Sequence, residues 1–157
     1  MHGQAAFKKQ KQEQLHTVCR SKGLPVTVQR TVIMEALAGR KDHPTADQIY
    51  EQVKPLLSGV SRTTVYRVLE AFVAHGLAQK IGSNEAKARF DAEAVRHHHL
   101  ECVCCGAIVD LPDHESYDIP LPESPDGAFQ VLDYAIQFKG VCGGCQGESL
   151  KGAPLKH

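Results

Sequence analysis

The sequence predicts an α+β chain in two parts, helices in front and strands behind. Three observations carry that division. Apolar residues recur at helical spacing behind capping residues in the front part, whereas alternating segments and prolines dominate the back. Two Cys-x-x-Cys pairs, Cys102/Cys105 and Cys142/Cys145, fall only in the back part. Charge splits at the same place: residues 1–91 hold 14 Lys and Arg against 8 Asp and Glu, and residues 92–157 hold 4 against 10. A basic front suits a polyanion such as DNA and an acidic back suits cations. At 157 residues, with 42% hydrophobic and 6% aromatic content and no Trp, any core rests on Val, Leu, Ile and Ala. Two small cores bury proportionally less surface than one large core, so help from a metal or a partner subunit is expected.

In the front part, Thr27 caps a segment in which Ile33, Ala36 and Leu37 share a face. Thr45 to Gln48 reads as a capping box ahead of Ile49 and Val53, with Pro55 at or just past the helix end. Ser61 opens the clearest helix, where Val65, Val68, Leu69, Phe72 and Val73 form a buried stripe and Gly76 supplies the stop. Leu77 to Ile81 and Ala88 to Asp91, around the polar turn Gly82-Ser83-Asn84, predict a hairpin. Helices ending in a helix plus hairpin make a winged helix-turn-helix, whose last helix enters the major groove. Arg62, Tyr66 and Arg67, near the start of that helix, are placed to contact DNA.

Residues 92–96 read as a linker or hinge. Beyond it, His99 to Val103 and Ala107 to Leu111 predict strands flanking a Cys105-Gly106 turn. Phe129 to Val141 alternates and predicts a longer strand, while Pro112, Pro120, Pro122 and Pro125 forbid a long helix between. A frayed tail is expected from Gln146 to His157.

The four paired cysteines have the ligand type, number and local spacing for one structural zinc. The pairs are separated by 36 intervening residues, so the metal must clip two distant strands. Cys104, on an alternating strand, is expected to point away from Cys105 into a core. In an extended His97-His98-His99, His97 and His99 share a face and His98 points the other way. With Asp91 and Asp110 nearby, two or three imidazoles and one or two carboxylates fit Fe(II), Mn(II), Zn(II) or Ni(II).

The N-terminal stretch Met1 to Gln14 is polar and lysine-rich, without the apolar core of a signal peptide. No stretch nears the ~20 apolar residues of a membrane span, so a soluble, cytoplasmic chain with no membrane partner is expected. There, six cysteines argue for metal ligation rather than disulfides. No Walker, Rossmann, His-Glu-x-x-His or deaminase-type His-x-Glu pattern is present. That disfavours a zinc hydrolase centred on His97 and His99, and no catalytic residue or small-molecule substrate is expected. A zinc-stapled adaptor without DNA affinity is a further alternative.

Five ordered motifs then resemble the ferric uptake regulator superfamily from about Leu15 to Cys145: Gly23 to Arg30, His43 to Tyr50, Ser61 to Leu69, Arg89-Phe90-Asp91, and the His97 to Gly106 block. The resemblance implies a homodimeric, metal-activated repressor. Its winged helix, residues 1–91, binds double-stranded operator DNA, and its small α/β domain, residues 97–157, binds metal and dimerises. With Thr64 of the same motif, the candidate DNA contacts are Arg62, Thr64, Tyr66 and Arg67. Within the superfamily the pattern resembles the peroxide-sensing branch, whose regulatory ligands would fall on His43, Asp91, His97, His99 and Asp110. The iron- and zinc-sensing branches usually carry Glu or Cys at the Asp91 position. The resemblance thus implies Fe2+ or Mn2+ as regulatory ion, with Zn2+ an option, and peroxide as signal. An iron or zinc uptake regulator is the alternative. Three departures stand out. Pro25 replaces a basic residue that reaches the minor groove in many members. Asp133 and Tyr134 stand where a further metal site would place histidine, which leaves His98 without a metal role. The span Pro112 to Pro125 replaces an amphipathic helix.

Overall fold

The computed structural model describes residues 2–81, 88–95, 97–111, 114 and 117–146. The expected Gly82-Ser83-Asn84 turn, Arg96 of the hinge, Pro112 and the tail beyond Gln146 lie outside the described residues. The chain divides into two compact units, Met1–Val95 and Arg96–His157.

The first unit runs α1 (His2–Ser21), α2 (Val28–Ala38), α3 (Ala46–Val53), α4 (Arg62–Ala74), β1 (Gln79–Ile81) and β2 (Arg89–Asp91). Local chemistry sets most helix ends. Thr27 accepts the Arg30 amide at 3.3 Å. Thr45 and Gln48 satisfy each other's backbone amides in a complete capping box. Ser61 Oγ accepts from Thr64 N at 3.1 Å. At the end of α4, Gly76 has φ +69°, and the Leu77 and Gly76 amides return to the Phe72 and Val73 carbonyls. This double closure needs a left-handed residue, which glycine adopts without a Cβ penalty.

The helices bury one core around Leu15, Ile33, Met34, Leu37, Ile49, Val53, Val65, Leu69 and Phe72, closed by Phe90 of the hairpin. β1 and β2 pair antiparallel, Lys80 opposite Phe90. The Phe90 ring meets Tyr66 of α4 edge-on at 6.5 Å, so the wing is packed onto the helix it flanks. Phe90 is fully buried. Phe90→Ala should therefore cost about 3–5 kcal/mol in urea unfolding, and a loss below about 1 kcal/mol would contradict this packing.

Helix α1 is an addition to the sequence reading, which treats residues 1–14 only as a polar segment. Most of its polar residues face solvent, Lys11 being the buried exception, while Leu15 and Cys19, four apart, are buried with Phe7 and Val18 packed beside them. Among the described residues no helix is long and apolar enough to cross a membrane.

The second unit is a three-stranded sheet in the order β4-β3-β5, from β3 (His98–Cys102), β4 (Ile108–Leu111) and β5 (Gln137–Gly140). β3 pairs antiparallel with β4 and parallel with β5. A parallel neighbour demands a long return path, supplied by the proline-rich span 112–136. Among its described residues this crossover carries no α-helix. Tyr134 fastens it: its hydroxyl donates to the Tyr117 carbonyl at 2.7 Å and accepts from the Ile119 amide at 2.8 Å.

The long strand expected over 129–141 is corrected to Gln137–Gly140. Among the described residues no strand neighbours this segment beyond the length of β3 to complete the ladder, and Phe129 and Leu132 lie exposed. Asp133 Oδ1 accepts the Tyr134 amide at 2.8 Å instead, a local bond that competes with extended pairing.

Candidate metal centres and nucleic-acid interface

Cys102 ends β3, and the following turn closes with the Gly106 amide on the Cys102 carbonyl at 2.8 Å. Gly106 takes φ +70° there, which returns the chain into β4. Cys142 and Cys145 flank a matching turn closed by Cys145 N to Cys142 O at 2.9 Å. The four sulfurs lie within 4.8 Å of one another, and Cys105 Sγ is 3.7 Å from Cys142 Sγ. A tetrahedral zinc with Zn–S near ~2.3 Å sets its sulfurs about 3.8 Å apart, so the donor set fits that ion. The electrostatics agree. The Cys142 amide donates to Cys102 Sγ at 3.3 Å, and this bond, with that from the Cys105 amide, pulls the Cys102 thiol down to about 6. Cys145 is pushed up by hydrogen bonding to the Cys142 and Cys105 sulfurs, because adjacent sulfurs cannot all carry charge without a cation.

Cys104 does not enter a core; it is exposed. Residues 103–105 form a turn rather than a strand, so the alternation assumed for it does not hold.

The first unit holds an imidazole–carboxylate pair. Asp91 Oδ2 lies 3.3 Å from His43 Nε2, and its Oδ1 accepts the Glu93 amide at 2.8 Å. His43 takes φ +48°, a region non-glycine residues seldom occupy. Strand β2 holds it there: Arg89 donates to the His43 carbonyl at 3.0 Å, and Phe90 N donates to Pro44 O at 2.9 Å. Strain maintained this firmly points to a functional side chain.

Two roles here escaped the sequence reading, which names Arg89 only within a motif and Lys11 not at all. Arg89 fixes the His43 backbone from 46 residues away. Lys11, 3% exposed on α1, bonds Gln14 Oε1 at 3.0 Å. Burial pulls the Lys11 ammonium below its ordinary range, opposed by the charges of Glu93 and Asp91. The one available signal for Lys11 was its position four residues before Leu15, on the buried side of α1.

The second unit holds an imidazole–carboxylate set of its own. His99 pairs with Asp110 across β3 and β4. Asp110 Oδ1 is 3.2 Å from His97 Nε2 and 3.5 Å from His99 Nε2, with the two rings 4.4 Å apart. Two imidazoles thus converge on one carboxylate oxygen. His98, on the opposite face, is buried between Tyr117 and Tyr134, and its Nδ1 accepts the Ile136 amide at 3.3 Å. Its role is packing: it holds the crossover to the sheet.

On α4, Tyr66 and Arg67 are exposed in the second turn. Lys80 of β1 reaches the Tyr66 hydroxyl at 3.4 Å and pairs with Glu70 at 2.8 Å. Thr64 is drawn into the cap, its hydroxyl 2.9 Å from Ser61 Oγ. Arg62 bonds Asp47 at 2.8 Å and Glu51 at 3.0 Å.

A winged helix, in one chain with thiol and imidazole–carboxylate clusters of these kinds, defines a metal-dependent, DNA-binding transcription regulator. Comparison with known proteins supplies the family. The chain belongs to the ferric uptake regulator family, whose model matches residues 21–139. Members are transcriptional regulators rather than catalysts. The chain is 32% identical over 127 residues to the peroxide-responsive repressor PerR of Staphylococcus aureus, covering 81% of this chain and 86% of that protein. In fold it is similar to the ferric uptake regulator Fur of Helicobacter pylori, with TM-score 0.70 and 18% identity over 88% of this chain and 93% of that one. It is similar too to the ferric uptake regulator of Pseudomonas aeruginosa with manganese, with TM-score 0.62 and 26% identity over 82% of this chain and 97% of that one.

Proposed function

We propose that this chain is a homodimeric, peroxide-responsive repressor of operator DNA, with residues 1–91 as reader, 92–96 as hinge and 97–157 as metal-binding dimerisation domain. Zinc on Cys102, Cys105, Cys142 and Cys145 holds the second unit together. Fe2+ or Mn2+ is taken jointly by His43 and Asp91 from the first unit and His97, His99 and Asp110 from the second. The observation that carries the reading is the His43–Asp91 pair, held at 3.3 Å on a strained backbone. An aspartate there, rather than glutamate or cysteine, favours the peroxide-sensing branch, and the similarity to a peroxide-responsive repressor supports it.

An ion that needs ligands from both units binds one arrangement of them better than others. That differential affinity is what a switch requires. A ferrous ion would supply the reducing electron for peroxide chemistry beside the ligand imidazoles. The protein's own part is to offer nitrogen and carboxylate donors and to hold His43, through Arg89 and Phe90, where it can be released on damage. Tyr66 and Arg67 face the groove. The second subunit covers the apolar row in which Leu100 pairs with Val109 on one side and Phe138 on the other, all partly exposed.

Gel-shift titration of the full chain with Mn(II) and with Fe(II), before and after peroxide, tests this. Binding should require metal in both cases and be lost after peroxide only with Fe(II), with oxygen added at His43, His97 or His99 by mass spectrometry. Fe(II)-dependent binding that ignores peroxide would instead identify a metal-uptake regulator.

A further inference from the structure

We propose that Arg62 is a positioning residue of the reading surface rather than a base contact: with Lys54 it neutralises Asp47 and Glu51, and it ties α3 to α4. The inference rests on the DNA-binding reading above and assigns Arg62 a different task within it. Both terminal nitrogens of its guanidinium are engaged, Nη1 with Asp47 at 2.8 Å and Nη2 with Glu51 at 3.0 Å. Its carbon lies 4.5 Å from the centre of the Tyr50 ring. Residues 47, 50 and 51 share one face of α3, so three anchors hold a single planar group. Lys54 takes Glu51 as well, so two cations balance two carboxylates.

These groups belong to the surface that would meet DNA. Asp47, Arg62, Thr63 and Tyr66 line one cleft of about 320 Å³ together with Phe90 of the wing. Ion pairs this exposed add little to stability, so their main effect is on the local field. Were Arg62 to swing toward a base, Asp47 and Glu51 would face the phosphates with only Lys54 to offset them. Like charges set against each other at an interface oppose docking strongly. Arg62 at rest therefore leaves Tyr66 and Arg67 to read the duplex over a neutral patch.

The test uses the Mn(II)-loaded full chain, a duplex selected from a randomised pool with the wild-type protein, and a scrambled duplex of equal length. Arg62→Ala should weaken binding to the selected duplex about tenfold, and adding Asp47→Asn and Glu51→Gln to it should bring affinity back to within about twofold of wild type. If Arg62 contacts DNA directly, the triple variant stays at least about fivefold weaker than wild type on the selected duplex, because charge relief does not replace the lost contact. Arg62→Ala then lowers the selected-to-scrambled ratio if the contact is to a base, or reduces the slope of log K against log salt by about one if it is to phosphate, and either overturns the proposal. Should Arg62→Ala fail to fold, Asp47→Asn/Glu51→Gln with Arg62 intact decides. The proposal expects the scrambled duplex to bind several-fold tighter with the selected-to-scrambled ratio reduced, and an unchanged ratio overturns it. Failure of the wild-type chain to select any duplex would remove the DNA-binding reading itself, a distinguishable result.

Discussion

Serine at Cys105 or Cys142 should abolish the three-stranded sheet of the second unit. Among the described residues, that unit's buried apolar side chains are Cys102 and Ile108, with His98 and His99 also buried. Such a core supplies little of the free energy that ordering the chain costs. Four register pairs hold β5 to β3, and the thiol cluster lies at the end of that ladder. Structural zinc in small domains contributes on the order of 10–16 kcal/mol of apparent binding energy, far more than this core can replace. The expected result in the full chain is loss of the bound zinc and exchange of the β3 and β5 amides at least about a hundredfold faster, read by hydrogen–deuterium exchange. Intact protection in the β5 segment of the zinc-free variant would show that the sheet stands without its metal.

Alanine at Asp91 or His43 should leave zinc bound to the four cysteines but uncouple DNA binding from Mn(II) and Fe(II). Each residue is one of five proposed donors, and each is separately anchored, Asp91 by the Glu93 amide and His43 by Arg89. Removing one donor should lower regulatory-metal affinity at least about a hundredfold, since loss even of an orienting partner typically costs 10- to 100-fold. Metal-binding titration and gel shift at fixed free metal provide the measurement. Because His43 sits at φ +48°, His43→Gly offers a companion variant without backbone conflict. Unaltered metal dependence in either variant would refute the five-donor proposal.

What was legible in the chain follows interaction range. Helices α2, α3 and α4 could be read because Thr27, Thr45 and Ser61 cap within three residues and their stripes repeat within a turn. The thiol cluster was readable from spacing, since each pair needs one tight turn. The two histidine–aspartate sets were legible largely through family resemblance; nothing local ties residue 43 to residue 91. Helix α1 escaped because lysines and glutamines dilute its apolar contacts. The overlong strand at 129–141 and the misplaced Cys104 share one cause. Alternation reports sidedness only where a neighbouring strand exists, and among the described residues no strand pairs with 129–136 or with Cys104.

The wide gap between the two cysteine pairs also orders events during synthesis. The reader's caps and helices form from neighbours in sequence, so they can settle while the ribosome is still working. The sheet needs Cys142 and Cys145 to emerge before its ring of sulfurs exists, and contacts so distant along the chain form slowly. The zinc proposed for those sulfurs would therefore be captured after the reader has folded, and a cell short of the metal would hold finished readers on unfinished stems.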